Sequence, residues 1–314
     1  MRYGQRMARS MVASMRVVML VCVPVAAVAQ RAPTRIMARA CSDTLPGAAA
    51  SEGAGRGVSA PMSFTRDPVA WTTWRVHLGA PRVPVSVIVA RVDPARVALS
   101  LEIERRGDAI GPWTLDRAPA NALIAFNAGQ FTDDGPWGWV VHRGREWQAP
   151  GAGALAGAVV VDSSFTVRIV PADSIALWRG SPTPARAIME AVQSYPVLLE
   201  RGRVPAMLCR PGSIDRTHRD IRLGLGVRAN GDVIVALTRY APQAMPANVA
   251  ARLPMGPTTL EMAEIMSQLG SVDALLLDGG LSAQLLVGTG ASRQRWLGLR
   301  SVPLAIVGRP RLAN

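Results

Sequence analysis

The stretch ALLLDGGLSAQLLV, residues 274–287, places a carboxylate at the end of an apolar run. Four apolar residues lead into Asp278, Gly279 and Gly280 follow, then Leu281 and Ser282, and residues 285–287 are apolar again. Asp-Gly-Gly between two strand-like runs predicts a tight β-hairpin, because glycine accepts the positive φ that a two-residue loop needs. The carboxylate is then held at the end of a buried strand, beside backbone bare of side chains, which suits a ligand that must approach closely. The alternative is a hairpin whose Asp278 only opens the turn. Arg222 stands at the start of another strand-like run, just after His218 and Arg219. The three histidines, His77, His142 and His218, have no metal-ligand spacing. His142 and His218 are candidates for proton transfer or for structural hydrogen bonds. Four tryptophans, Trp113, Trp137, Trp139 and Trp147, fall within 35 residues and suit either core packing or contact with sugar faces.

The elements that must position these residues are mostly strands. Residues 83–91 and 96–104 are joined by Asp93-Pro94-Ala95, a turn in which proline fixes φ. In the second run Val97, Leu99, Leu101 and Ile103 alternate with polar or small residues, the period of a half-buried antiparallel strand. Residues 122–126 form a short apolar strand ending in Asn127-Ala128-Gly129-Gln130-Phe131. Further strands are read at 139–142, 158–162 and 165–170, and residues 191–200 turn at Tyr195-Pro196 into another. Residues 223–227 and 233–237 flank Asn230-Gly231, a strong hairpin signal. The clearest helix covers 258–269: Thr258 and Glu261 make a capping box, and Gly270 stands at the stop. Glu261 is therefore a cap rather than a catalyst. Residues 301–307 close the chain as a strand, with Pro303 predicting an edge position or a strand start. The fold class expected is α+β: one domain with a mixed, largely antiparallel sheet and a few packed helices.

Composition bounds the function. At 314 residues and 49% hydrophobic, the chain can bury a substantial core, and its formal charge is +13. Every basic residue is arginine, a genomic-looking bias that discounts part of the charge. Four of the 35 arginines fall before residue 30, and the remaining 31 against 22 acids still leave +9, favouring anionic partners. No basic run interleaved with aromatics is present, so nucleic acid is not expected. Arg2, Arg6, Arg9 and Arg16, the apolar residues 17–28 and Ala27-Val28-Ala29 read as a signal peptide over residues 1–29, predicting export to the periplasm or medium and no integral membrane segment after cleavage. Residues 30–65, rich in Ala, Gly, Ser, Pro and Arg, are expected to be a disordered linker, and 66–314 the folded domain. Cys41 and Cys209 remain to pair or stay free.

Four motifs in order resemble the phosphodiester glycosidase family: NAGQF at 127–131, VQSYPVLLERG at 192–202, the hairpin from Arg222 to Asn230-Gly231, and the helix–strand–DGG-x-S block at 256–282. The resemblance covers roughly residues 80–310. It implies that Asn127 and Gly129 belong to the family's NGGFF-like loop, Arg222 to its Arg-Thr-Ala-Ile-Gly strand start, and Asp278, Gly279, Gly280 and Ser282 to its DGGGS turn. Here Gln130 replaces an aromatic, Leu223 and Gly224 replace Thr and Ala, Leu281 replaces the third glycine, and Ala283 a second serine.

The activity implied is hydrolysis of a glycosyl phosphodiester in envelope or extracellular glycans. That chemistry needs a carboxylate at the anomeric carbon and cations around the phosphate, and a phosphate monoester leaves with little acid assistance. Asp278 is the expected nucleophile or base and Arg222 the phosphate clamp, with His218 for proton transfer. Asn127, Gly129, Gln193, Gly279, Gly280 and Ser282 are expected to contact substrate. Asp133 or Asp134 is the candidate second carboxylate, or would hold a divalent cation with Asp278; no motif demands a cofactor. The alternatives are a non-catalytic envelope protein that binds anionic glycan, which Leu281 and Gln130 favour, and a phosphodiesterase or transferase acting on envelope polysaccharide.

Overall fold

Antiparallel strands are the main regular structure of this chain. The computed structural model describes residues 34–36, 41, 64–65, 67–79, 82–103, 105–106, 109–180, 187–250 and 253–311. In chain order the strands are β1 (Thr34–Ile36), β2 (Val69–Leu78), β3 (Val83–Val92), β4 (Val97–Ile103), β5 (Arg105–Arg106), β6 (Ala109–Ile110), β7 (Ile124–Asn127), β8 (Phe131–Thr132), β9 (Gly135–Pro136), β10 (Val140–His142), β11 (Arg145–Gln148), β12 (Gly157–Asp162) and β13 (Val167–Pro171). Helix α1 (Ala172–Gly180) follows, then β14 (Ile188–Ser194), β15 (Val197–Leu199), β16 (Leu223–Arg228) and β17 (Val233–Tyr240). The chain ends with α2 (Ala247–Ala250), α3 (Thr259–Gln268), β18 (Ser271–Leu276), β19 (Leu285–Val287), β20 (Gln294–Trp296) and β21 (Leu304–Pro310).

These strands form three main sheets. The first has the order β1-β2-β3-β17-β16-β18-β15, the second β11-β10-β14-β12-β13 and the third β20-β19-β7-β21-β4. Every pairing in them is antiparallel except β1 with β2. The three sheets share one apolar core: Leu223, Leu225 and Leu277 from the first meet Val140, Val159 and Val192 from the second and Phe126, Leu285 and Ile306 from the third. Each sheet also covers its outer face. Helix α3 lies on the first, α1 on the second, and Trp113 with Leu115 on the third. The fold is thus dominated by antiparallel sheet, with three α-helices among the described residues, and the expectation of one sheet gives way to three.

Local chemistry explains the elements next to the site. On β16, Leu223 and Leu225 point into the shared core, whereas Gly224 and Gly226 lie under Met262 and Met266 of α3, where a Cβ would come within 2.8 Å of a methionine methyl. Two glycines on one face of a strand let the helix pack directly on the sheet backbone. Helix α3 carries the expected capping box: Thr258 accepts from the Glu261 N–H (3.2 Å), and Glu261 accepts from the Thr258 N–H (2.9 Å). Glu261 also pairs with Arg219 at 2.6 and 3.0 Å, which ties the segment before β16 to the helix start. Pro303 stands just before β21, and β21 lies between β7 and β4, so the strand is central and the proline marks its start.

Within the segment read as linker, β1 pairs parallel with β2, and Cys41 is disulfide-bonded to Cys209 with Cα atoms 5.4 Å apart. The signal-peptide reading of residues 1–29 lies outside the described residues. Among the described residues no helix is long and apolar enough to cross a membrane.

Glu261→Ala removes a helix cap and strands Arg219. It is expected to lower unfolding free energy by about 2–4 kcal/mol, while Glu261→Gln, which keeps the cap acceptor, costs less than half of that, measured by urea unfolding.

Candidate active site

The Asp278 turn is a crossover between two sheets, not a hairpin within one. Strand β18 belongs to the first sheet and β19 to the third, and a 3₁₀ turn over Gly280–Ser282 joins them. The sequence reading failed here because a hairpin and a sheet-to-sheet crossover share the same local turn chemistry. The crossover leaves the first sheet by two backbone bonds, Leu277 N–H to Leu223 O and Gly280 N–H to Ile221 O, both 2.8 Å. It meets the third sheet through Asp278 N–H to Ala128 O (3.2 Å). Asn127 closes it: its amide donates to the Asp278 carbonyl at 2.7 Å and accepts from the Gln284 N–H at 2.9 Å. Gly280 has φ +56, and a side chain there would meet the Asp220 carboxylate at 2.9 Å. Gly279 lies against the Ile221 carbonyl, leaving no room for a Cβ.

Asp278 is mostly buried, and burial is the main cause that pushes its carboxyl up to about 6. Hydrogen bonding from Ser282, the charge of Arg300 and the Gly279 backbone act to lower it, and the charge of Asp220 adds to the rise. Its Oδ2 is buried without a hydrogen-bond partner, as is Oε1 of Gln130, whose Nε2 donates to the Tyr195 carbonyl (2.8 Å). Buried acceptors left open in this way are uncommon and call for an explanation such as a ligand or water. Arg300 lies with its guanidinium 4.9 Å over the Phe131 ring and 3.5 Å from Asp133.

The expected residues divide into two groups. Asp278, Gly279, Gly280 and Ser282 form the turn itself. Carrying the β16–β18 register two residues beyond Gly224–Leu276 sets Arg222 opposite Asp278. The Arg222 guanidinium is largely buried and donates to the carbonyls of Pro257 (3.3 Å) and His218 (3.2 Å), and desolvation weakens its hold on its proton. His218 stands at the rim, half exposed, with Nε2 3.7 Å from Asp220. Asn127 and Gln193 have different work from that expected. Both are fully buried, and Gln193 accepts from the N–H groups of Trp139 and Gly151 (2.8 Å each) and donates to the Gly151 carbonyl (3.0 Å). Their amides are taken up by backbone, so they shape the site rather than face a sugar. Gly129 packs on the Gln193 carbonyl, where a Cβ would sit 2.1 Å away.

Two charged neighbours of Asp278 were missed. Asp220, not Asp133 or Asp134, is the carboxylate whose charge acts on it, and the Asp133 side chain is fully exposed. Arg300 reaches the turn because Leu299 and Arg300 donate backbone N–H to the Leu281 carbonyl (2.7 and 3.1 Å). Neither had a local signal: Asp220 sits in an irregular polar segment, and Arg300 comes twenty-two residues after Asp278 in sequence. His142 lies elsewhere, bonded to Glu190 at 2.9 Å. Glu190 is four residues, or about 13 Å of strand, before Ser194, which bonds the Leu276 carbonyl beside the turn. Among the described residues no group of three or more His, Cys, Asp or Glu is arranged to hold a metal ion.

Chemically, the turn presents a carboxyl that changes charge near neutrality, a second carboxylate, and two arginines from different elements. A profile of the phosphodiester glycosidase family matches residues 120–307, which span β7 to β21 and include every residue of this site. The chain belongs to that family. The catalytic domain of zebrafish N-acetylglucosamine-1-phosphodiester alpha-N-acetylglucosaminidase, auto-inhibited by its pro-peptide, has the same fold: TM-score 0.60 at 14% identity, covering 78% of this chain and 84% of that one. A hypothetical protein from Synechocystis gives 0.49 at 17% identity, over 78% and 62% of the two chains. A comparison with curated protein sequences found no match.

Titration of Asp278 followed by carboxyl carbon NMR should give a midpoint of about 6. Asp220→Asn is expected to lower that midpoint and Arg300→Ala to raise it. Because the folded state holds this proton more tightly than the unfolded chain (about 6 against 3.8), ionisation costs stability. The cost is absent below pH 4, grows as pH rises to 6 and is complete above it. Asp278→Asn should therefore leave stability unchanged at pH 4 and raise it by on the order of 2–3 kcal/mol at pH 8, read by thermal or urea unfolding.

Proposed function

We propose that this protein is an exported hydrolase that cleaves a sugar from a glycosyl phosphodiester of an envelope or extracellular glycan. Membership of the phosphodiester glycosidase family supports the reaction type, and the zebrafish relative is named for an N-acetylglucosamine-1-phosphodiester. The basic, apolar and Ala-x-Ala pattern of residues 1–29 supports export, with residues 30–65 as the connection to the domain. The observation that carries the reading is the Asp278 carboxyl, buried at the sheet crossover, with one oxygen unpartnered and the charge of Arg300 acting on it.

In this reading the substrate phosphate lies toward Arg300 and Arg222, and Asp278 faces the anomeric carbon. Water adds to that carbon and the bond from it to the bridging oxygen breaks. That oxygen departs with phosphorus as a phosphate monoester, and the proton released from water passes through the carboxylate to solvent. The leaving group is a weak base, so no strong acid is required at the bridging oxygen. Asp278 works ionised, whether it attacks the carbon first or directs the water, and NMR of the first-formed sugar anomer separates those routes by stereochemistry. Arginine suits the phosphate because its planar fork binds two oxygens at once. Ser282 and the Gly279 N–H hold the carboxylate in place.

On glycosyl-1-phosphodiester substrates, kcat/KM should rise with pH through about 6 and then level off, since the ionised form of Asp278 is the active one. Asp278→Asn is expected to lower kcat by about 10²–10⁴ while the protein stays folded. Arg300→Ala and Arg222→Ala should raise KM by about tenfold. Solvent oxygen-18 should enter the sugar and not the phosphate. Label in the phosphate would identify a phosphodiesterase, and full turnover by Asp278→Asn would remove the carboxylate from the mechanism.

A further inference from the structure

The rim of the Asp278 turn is apolar in a way that its own packing does not require. Leu281, Leu297 and Leu299 are 50%, 61% and 56% exposed. They form one surface, because Leu299 and Arg300 bond the Leu281 carbonyl and Gly298 lies on the Ser282 carbonyl, where a Cβ would come within 2.9 Å. The backbone beneath is pinned. Arg239, 6% exposed, donates to the carbonyls of Ala283 (2.7 Å) and Leu297 (3.2 Å), so one buried guanidinium clamps both sides of the rim. Three leucines on a firmly held loop face solvent beside a carboxyl and an arginine. Trp71 continues the surface: it is 40% exposed and meets Trp296, the neighbour of Leu297, edge-on at 5.3 Å.

An amphiphilic anion matches this arrangement of charge and apolar surface. The phosphate would meet Arg300, the sugar would face Asp278, and whatever is esterified to the far side of the phosphate would lie along Leu299, Leu297 and Leu281. A hydroxylated sugar aglycone gains nothing from three leucines, whereas an alkyl or isoprenoid chain removes their surface from water. We infer that the leaving group is the phosphate ester of an apolar chain, so that the substrate is a lipid-linked sugar phosphodiester held by the Leu281–Leu297–Leu299 rim. The inference rests on the reading of Asp278 and Arg300 as a glycosyl-phosphodiester site, and it narrows the substrate to a chemical class.

The test compares methyl and decyl esters of one glycosyl-1-phosphate on the full protein, below the micelle concentration of the decyl compound. Calorimetric binding of decyl phosphate and methyl phosphate provides a readout that needs no turnover. The decyl ester should have a KM at least about tenfold below that of the methyl ester, and decyl phosphate should bind at least tenfold tighter than methyl phosphate. Leu297→Ser with Leu299→Ser should bring both ratios toward one; these side chains are exposed, so far-ultraviolet circular dichroism should confirm an unchanged fold. Equal KM values with both esters cleaved would overturn the apolar-aglycone inference and leave the proposed reaction standing. Failure to cleave either ester, with decyl phosphate still bound tightly through the leucines, would overturn the reaction and keep the rim as an amphiphile site. Sedimentation with anionic vesicles that the double variant abolishes, without any chain-length preference in either assay, would make the rim a membrane contact and overturn the inference.

Discussion

The carboxamide of Asn127 is the contact on which the rest of the site depends. It donates to the carbonyl of Asp278 and accepts from the N–H of Gln284, so a single side chain spans the crossover from the first sheet to the third. With no water to compete in a fully buried position, each of those bonds is expensive to leave unmade. The consequence is geometric. The carboxyl of Asp278 projects from a backbone fixed at both ends and from below, and its neighbours come from three separate stretches of chain. Asp220 comes from the entry to β16, Ser282 from the crossover itself and Arg300 from the loop before β21. An active carboxyl needs a fixed surrounding more than a particular loop, and here the surrounding is three sheets meeting at one core.

Burial and charge compete over the proton of Asp278. Desolvation wins by enough to bring the carboxyl near neutrality, although Ser282, Gly279 and Arg300 all favour the ionised form. The same competition appears at Arg222 and Arg239, whose burial acts against their charges and whose partners are carbonyls. Burying one acid and two arginines gives up stability locally. The capped helix and glycine-tight packing beneath β16 are the compensating structure.

How much of this was legible in the sequence depended on range. Strand alternation at 97–103, the Thr258–Glu261 cap and the Asn230-Gly231 turn are local patterns, and the structure has them as β4, the start of α3 and the β16–β17 hairpin. The turn glycines at 279 and 280 were legible as glycines but not as a crossover, because the direction in which the chain leaves a turn is decided by tertiary partners such as Asn127. Helix α1 has only a weak apolar face and gave no period to follow. Asn127 and Gln193 were expected to contact substrate because they lie in the motifs that resemble the family; only the backbone groups packed against them show that their amides are occupied. Asp220 and Arg300 reach Asp278 through pairing that no window of sequence contains. The family profile carries part of that long-range information, which is why it spans β7 to β21 where single motifs do not.

The bond between Cys41 and Cys209 joins residues 168 apart and fastens the start of the described chain near the 3₁₀ turn Ala206–Cys209, upstream of Asp215, His218 and Asp220. A peptide bond hydrolysed anywhere between Cys41 and Phe64 would therefore nick the protein without releasing anything. Strand β1 and the domain would migrate as one species until a reductant was added. Redox conditions, and not the protease alone, would decide whether that strand is ever lost from the edge of the first sheet.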